Sequence, residues 1–300
     1  MASLILFQSG KSCYDPRLNS YFDPWTNHIW DMLAQVREWS KTIDIYFIVD
    51  VTVDEIPENH RFESLNVKAV PVNSIPPTRN LSCISAYNGQ TDLTKTSLVR
   101  FFYIESLMKI RGINQVFTFD NDIMIYHDLS DLANKLDNLS KDICLTPHSP
   151  DEMVCGMMWI PSSEKLSKMN DLLIDAIHAG LAKTEMRLLK EISSILPIVE
   201  LPIWIDGKLS FMSDSLHGIF DPSSIGQYLG GTHNGHPPLT VHPPQFLAEP
   251  LASKNYSFSI AVDNQGRRYY LVSSNETVTK TKIHSLHIHS KKMKEFMSRA

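Results

Sequence analysis

The sequence predicts an α/β fold with a largely parallel sheet, and three observations predict it. Short apolar runs closed by polar residues alternate with segments of helical spacing up to about residue 150. The apolar run around Val116 to Ile125 carries Asp120-Asn121-Asp122, which reads as a buried strand ending in two carboxylates. A chain of 300 residues with 43% hydrophobic content buries one large core, or two closely packed lobes.

Taken in order, Leu4 to Phe7 is closed by Ser9-Gly10 and Ile43 to Val49 is closed by Asp50. A Trp-rich helical segment, Trp25 to Trp39, lies between them, so the chain opens as a βαβ unit. Val67 to Val72 offers a third strand, and the spacing of Leu98, Phe101, Phe102, Ile104 and Met108 predicts a helix stopped at Arg111-Gly112. The Asp120-Asn121-Asp122 strand follows. Beyond residue 150 a strand is expected at Met157 to Ile160, helices near Glu164 to Ala179 and Lys183 to Ile195, and an extended segment from Pro197 to Ile205. A Gly- and Pro-rich stretch runs from Gly226 to Pro244, and Asp263-Asn264-Gln265-Gly266 between Phe258–Val262 and Arg268–Val272 signals a hairpin. A boundary near residue 150 divides one domain, residues 1–300, into lobes 1–150 and 151–300.

Composition narrows the function classes. The balance of 28 basic against 33 acidic residues gives no footprint for nucleic acid. Cys13, Cys83, Cys144 and Cys155 are scattered and form no CxxC pair, as reduced, packed thiols would. The opening apolar run lacks a basic flank, and no 18-residue apolar stretch follows, so no transmembrane segment is expected and the expected location is cytoplasmic. Sequons at Asn80, Asn138, Asn255 and Asn275 are of the number that an Asn- and Ser-rich chain produces by chance.

Three clusters carry chemistry. Asp120 and Asp122 share one side of an extended backbone and repel unless a positive group sits between them; Mg²⁺ or Mn²⁺ suits such oxygens and shares its remaining positions with phosphate. In open α/β sheets ligands gather at the carboxyl ends of strands, where Gln8, Ser9 and Asp50 also fall. The second cluster is His287-Ile288-His289-Ser290-Lys291: in a strand both histidines share a face, able to complete a Mn²⁺ shell, and Lys291 offers a point charge to a diphosphate. The third is Asp221-Pro222-Ser223-Ser224-Ile225-Gly226-Gln227. Asp221 suits a helix N-cap, and alternatively Asp221 and Gln227 line a sugar pocket.

Taken together, Thr118 to Ile123, a preceding helix bearing Arg100-Phe101, Gly156-Met157-Met158, Gly226 to Leu229 and the terminal His-Ile-His-Ser-Lys resemble the metal-dependent glycosyltransferases of the GT-A fold. The resemblance implies a Rossmann-like nucleotide-diphospho-sugar transferase fold with a mixed central sheet flanked by helices. It implies a nucleotide-sugar donor, expected to be a UDP-sugar, and a glycan or other hydroxyl acceptor. Asp120 would approach the donor ribose, sugar and metal, and Asp122 would ligate Mn²⁺ or Mg²⁺ directly. His287 or His289 would be the third protein ligand, Lys291 would contact the diphosphate, Arg100 would reach the donor, and Gln8, Ser9 and Asp50 would hold base and ribose. Retention is favoured, with Gln227 near the reactive face; an inverting enzyme would draw its base from Asp206, Asp214 or Asp221. The terminal motif differs from that of the glycogenin-like retaining group.

Two other readings compete. A haloacid-dehalogenase-type phosphatase also ends an apolar strand in Asp-x-Asp, with Asp120 as nucleophile, but there the motif opens the domain. A non-catalytic nucleotide- or carbohydrate-binding protein on the same scaffold would bind without transfer.

Overall fold

β1 (Ser3–Gln8) alternates as a strand buried on both faces must: Leu4 and Leu6 enter one core and Ile5 the other. The computed structural model describes residues 2–9, 13–15, 20–22, 27–85, 92–181, 184–204, 211–231, 256–274 and 279–299. After β1 comes an antiparallel ribbon of β2 (Cys13–Asp15) and β3 (Ser20–Phe22), then α1 (Asn27–Trp39) and β4 (Asp44–Val49). β4 lies parallel to β1, from Ser3↔Asp44 to Gln8↔Val49, so α1 is the expected crossover. α2 (His60–Ser64) leads to β5 (Val67–Pro71), parallel to β4. α3 (Ser82–Ser85) and α4 (Asp92–Arg111) then return the chain to β6 (Val116–Thr118), parallel to β1 on its other side. α4 ends at Gly112 with φ +63°, the left-handed conformation that a helix stop favours.

The strand expected to end in the two carboxylates ends earlier, at Thr118; Asp120 to Asp122 form a turn in which Ile123 N–H donates to Asp120 O at 3.1 Å, and β7 (Ile123–Ile125) follows as a separate strand. α5 (Leu129–Leu139) follows, its first N–H groups capped by Asp128, and then β8 (Ile143–Ser149) and β9 (Glu152–Ile160). Residue 150 lies in the short turn between β8 and β9, and the sheet continues across it. α6 (Ser163–His178), α7 (Glu185–Ile192) and β10 (Ile198–Glu200) complete the sheet; Lys183 and Ile205 lie outside the described residues. The strand order is β10-β8-β9-β6-β1-β4-β5. It is mainly parallel, with β9 antiparallel to both neighbours, because a short turn joins only antiparallel strands. Helices α4, α6 and α7 cover one face of this mixed sheet, and α1 and a second sheet cover the other.

That second sheet follows α8 (Phe211–Leu216). It contains β11 (Ile219–Phe220), β12 (Tyr256–Val262), β13 (Arg268–Ser274) and β14 (Thr281–His287), with α9 (Ser224–Gly230) after β11. The predicted hairpin joins β12 to β13, with Gly266 at φ +78°. The Gly- and Pro-rich stretch begins inside α9, which includes Gly226 to Gly230, and residues 232–244 lie outside the described ones. β14 also pairs with β7, register His287↔Ile123. This pairing brings the C-terminal histidines to the acidic turn. Among the described residues no helix is long and apolar enough to cross a membrane.

Candidate active site

The chain leaves β1 for β4 and β5 on one side and returns to β6 on the other, so β1 and β6 form a topological switch point, where open α/β sheets bind ligands. Asp120 and Asp122 sit there in a turn instead of on a strand. Sequence alternation therefore does not set their directions. They diverge at one end and meet at His287: its Nε2 lies 3.0 Å from Asp122 Oδ1 and 4.0 Å from Asp120 Oδ2.

β14 ends at His287, and His289 follows in a turn, its N–H donating to His287 O at 3.2 Å. The two rings nevertheless stay side by side, with centroids 4.2 Å apart. Ligand atoms of Asp122, His287 and His289 all fall within 4.8 Å of one another, the spacing of a cation's donor shell. Lys291 adopts a left-handed backbone, φ +60°, at the close of this turn, and its ammonium is paired with Asp122 Oδ2. Holding a non-glycine residue there costs about 1 kcal/mol or more, and such strain concentrates at functional sites. Burial pushes the Asp122 carboxyl up, but His287, Lys291 and His289 together hold it well below the usual carboxylate range. Burial opposes the imidazolium of His287, and Asp122, with help from Asp120 and Asp221, overrides it and raises its pKa. One carboxylate and two imidazoles suit Mn²⁺ better than Mg²⁺, which prefers oxygen alone. The His287 Nδ1 atom, on the side of the ring away from Asp122, is buried with no hydrogen-bond partner among the described residues.

On the other side of Asp120, Oδ1 accepts from the Arg100 guanidinium of α4. Arg100 is 91% buried by its side chain and lies 4.0 Å, through Nη2, from Glu185 Oε1 at the start of α7. Burial and the neighbouring Arg100 act oppositely on Glu185, and burial prevails, raising its pKa. At the end of β1, Asn121 Nδ2 donates to Phe7 O at 2.9 Å and to Gln8 Oε1 at 2.6 Å, and Ser9 Oγ donates to Asp50 Oδ2 at 2.8 Å. Gln8, Ser9 and Asp50 thus form one polar edge beside the acidic turn. Tyr103 of α4 stacks on Phe7 at 5.8 Å, next to this edge.

Asp221 is fully buried; Ser223, not Asp221, is the N-cap of α9, and Asp221 accepts the first-turn N–H groups from two residues upstream. Its Oδ1 accepts Ile225 N–H at 2.8 Å, while Oδ2 accepts Gly226 N–H at 2.7 Å and His287 N–H at 3.0 Å. Burial raises its pKa against the pull of these three donors. A base needs one oxygen free for the acceptor hydroxyl; both of these accept backbone N–H groups of α9 and β14. Gln227 is half-buried on the next residue of α9, Asp214 is exposed on α8, and Asp206 lies outside the described residues.

No protein-family model matches the chain, and no curated protein matches it. It is similar to the apo form of mouse xyloside xylosyltransferase 1, with 12% identity and a TM-score of 0.46 over 71% of this chain and 90% of that one. It is similar to the galactosyltransferase LgtC in complex with donor and acceptor sugar analogs, with 11% identity and a TM-score of 0.42 over 67% of this chain and 73% of the other. A cytidylyltransferase from Leptospira borgpetersenii matches with 11% identity and a TM-score of 0.39, over 66% and 74%. At these identities and scores the likeness does not choose among activities, and the site geometry has to.

Sequence reasoning missed four residues here. His28, in the first turn of α1, is buried to a pKa of about 3, with Lys291 adding to the fall and Asp122 opposing it. His148, on β8, donates from Nδ1 to Pro222 O at 2.8 Å, beside the Asp221 segment. Glu185 followed a visible cap, Thr184, and Tyr103 lies one turn beyond Arg100 on a recognised helix; only the fold shows that either faces the site.

Proposed function

We propose that the chain is a metal-dependent glycosyltransferase of the GT-A fold, moving a sugar from a nucleotide-diphosphate donor, a UDP-sugar by expectation, to a hydroxyl of a saccharide or other acceptor. The observation that carries this reading is the Asp122, His287 and His289 donor group, with Lys291 beside it, at the switch point between β1 and β6. Mn²⁺, or Mg²⁺, held by Asp122, His287 and His289 would supply positive charge to a diphosphate leaving group.

The chain's own residues do the rest. Lys291 leaves Asp122 for the diphosphate and offsets the negative charge that accumulates as the anomeric bond breaks. Asp120 sits between Arg100 and His287, so it links the donor's sugar end to its diphosphate end. Gln8, Ser9, Asp50 and Asn121 receive base and ribose in the 1–150 lobe, and residues 151–300 supply the acceptor side and the terminal charged segment. Asp221 acts by fixing the His287 backbone. Gln227, on the following turn, stands nearest the donor's reactive face in this reading, which favours retention.

What counts against a phosphatase with Asp120 as nucleophile is that Asp120 Oδ1 is engaged by Arg100, which lowers its availability for attack. The test is turnover of a panel of UDP-sugars with and without Mn²⁺, beside p-nitrophenyl phosphate. Mn²⁺-dependent release of UDP from at least one sugar donor is expected; p-nitrophenyl phosphate hydrolysis without it would overturn the reading, and UDP binding with no turnover would favour the non-catalytic alternative.

A further inference from the structure

The second sheet ends in an unguarded edge. β12 is its last strand and, among the described residues, pairs with β13 alone, from Tyr256↔Ser274 to Val262↔Arg268. Edge strands invite pairing with another chain, and proteins blunt them with charge, proline or brevity. Both edges of the main sheet are blunted in this way. β5 carries Lys68, paired with Asp44 at 2.6 Å, and ends in Pro71, while β10 is three residues long and ends in Glu200. β12 spans seven residues with neither charge nor proline, and on it Ile260 is 55% and Val262 60% exposed.

The hairpin fixes which residues bond outward. Asp263 N–H donates to Arg267 O at 3.0 Å, so Asp263 turns towards β13. Antiparallel ladders alternate from there: Ala261, Ser259 and Ser257 bond β13, and Val262, Ile260 and Phe258 point N–H and C=O away from it. The same three residues form the apolar row of the strand, on the face where Phe258 meets Val272.

We propose that β12 is a self-association edge, pairing antiparallel with β12 of a second copy of this chain about a two-fold axis through Ile260. The strand is self-complementary in that register. Ile260 lies opposite its own counterpart and Phe258 opposite the counterpart of Val262, so outward-bonding residues meet and apolar side chains meet. On the other face Ser259 meets the counterpart of Ala261, small against small. A slip of one residue breaks both matches. Asp263, brought opposite the counterpart of Ser257, is already paired with Arg267 at 2.7 Å and carries no bare charge to the seam. Two strands of this length with their hairpins bury less than about 1,200 Å², the low end of specific interfaces, which makes the dimer concentration-dependent. The inference does not depend on which reaction the candidate active site performs.

Sedimentation velocity from about 1 to 300 μM on the parent, Ile260→Lys and Ile260→Pro tests it, with hydrogen exchange of the β12 amides. A reversible dimer is expected in the parent, and exchange at Ile260 and Val262 should slow as concentration rises. The first substitution sets two ammonium groups face to face at the axis and the second removes the central N–H donors, so each should weaken dimerisation about tenfold or more. Ile260 is exposed and bonds outward, so the unfolding midpoints should stay within about 2 °C of the parent's; should one variant unfold, the other carries the comparison. A parent that is monomeric throughout, or a dimer indifferent to both substitutions, would overturn the proposal. So would Ile260 and Val262 amides equally protected at every concentration, because the same chain would then already cover the edge.

Discussion

The Asp221 carboxylate holds the backbone of His287: Oδ2 accepts the His287 N–H at 3.0 Å, and the same carboxylate ties down the first turn of α9 through Ile225 and Gly226. Helix α9 and strand β14 are therefore locked at the residue that faces Asp122. Asp221→Ala strands three buried N–H groups, each worth about 1–3 kcal/mol when left unmade. A loss of several kcal/mol in urea unfolding is expected, with Asp221→Asn intermediate. A loss below about 1 kcal/mol would show that the tie is incidental.

Gly226 tests the same junction by volume. A Cβ at this position would stand 2.0 Å from His287 O, a backbone atom with no flexible end to give way. Gly226→Ala is expected to push α9 off β14, lowering the unfolding midpoint and weakening Mn²⁺ binding together. Retention of both would mean that the two elements approach less closely than described.

Acid stability follows from buried neutral histidines. Burial holds His28 down to about 3 and His284 well below 6.5, with His127 and Lys282 adding to the fall at His284. The unfolded chain binds protons at these groups below pH 6.5 while the folded chain does not, so stability is lost as pH falls from 6.5 towards the folded values. His287, raised in the fold, contributes the opposite way and only above pH 6.5. Urea unfolding between pH 6.5 and 5.5 should lose stability at up to about 1.4 kcal/mol per pH unit for each buried neutral histidine. His284→Gln should flatten that slope by one proton; an unchanged slope would contradict the burial of a neutral ring.

Both C-terminal histidines are expected to hold the cation, although the chain bends between them. His287→Ala and His289→Ala should each weaken Mn²⁺ binding by about tenfold or more, read by calorimetry on folded protein. If only one does so, the shell contains a single imidazole and the other ring packs against it.

Much of this was legible because burial imposes simple periods. β1, β4, α1 and α4 showed in the spacing of apolar residues, and the β12–β13 hairpin in its turn residues. β8 was not visible, since Pro147, His148 and Ser149 read as a loop although the whole strand is buried. α5 was recoverable, with an Asp128 cap and Leu129, Leu132 and Leu136 on one face. At the site, residue types pointed to a cation, but a strand model of the acids failed because Asp120 to Asp122 form a turn. What set their partners was the His287↔Ile123 register and the long return of β14, which no local pattern contains. The pairing of Arg100 with Glu185 is likewise long-range, joining α4 to α7.

The central claim is that Asp122, His287 and His289 hold a divalent cation for a nucleotide diphosphate. Calorimetry of UDP binding in Mn²⁺ and in EDTA, on the parent and on Asp122→Ala, tests it most directly. The parent should bind UDP with Mn²⁺ and lose that affinity in EDTA, and Asp122→Ala should show little gain from the metal. Equal, Mn²⁺-dependent affinity in Asp122→Ala and the parent would contradict the assignment of the site.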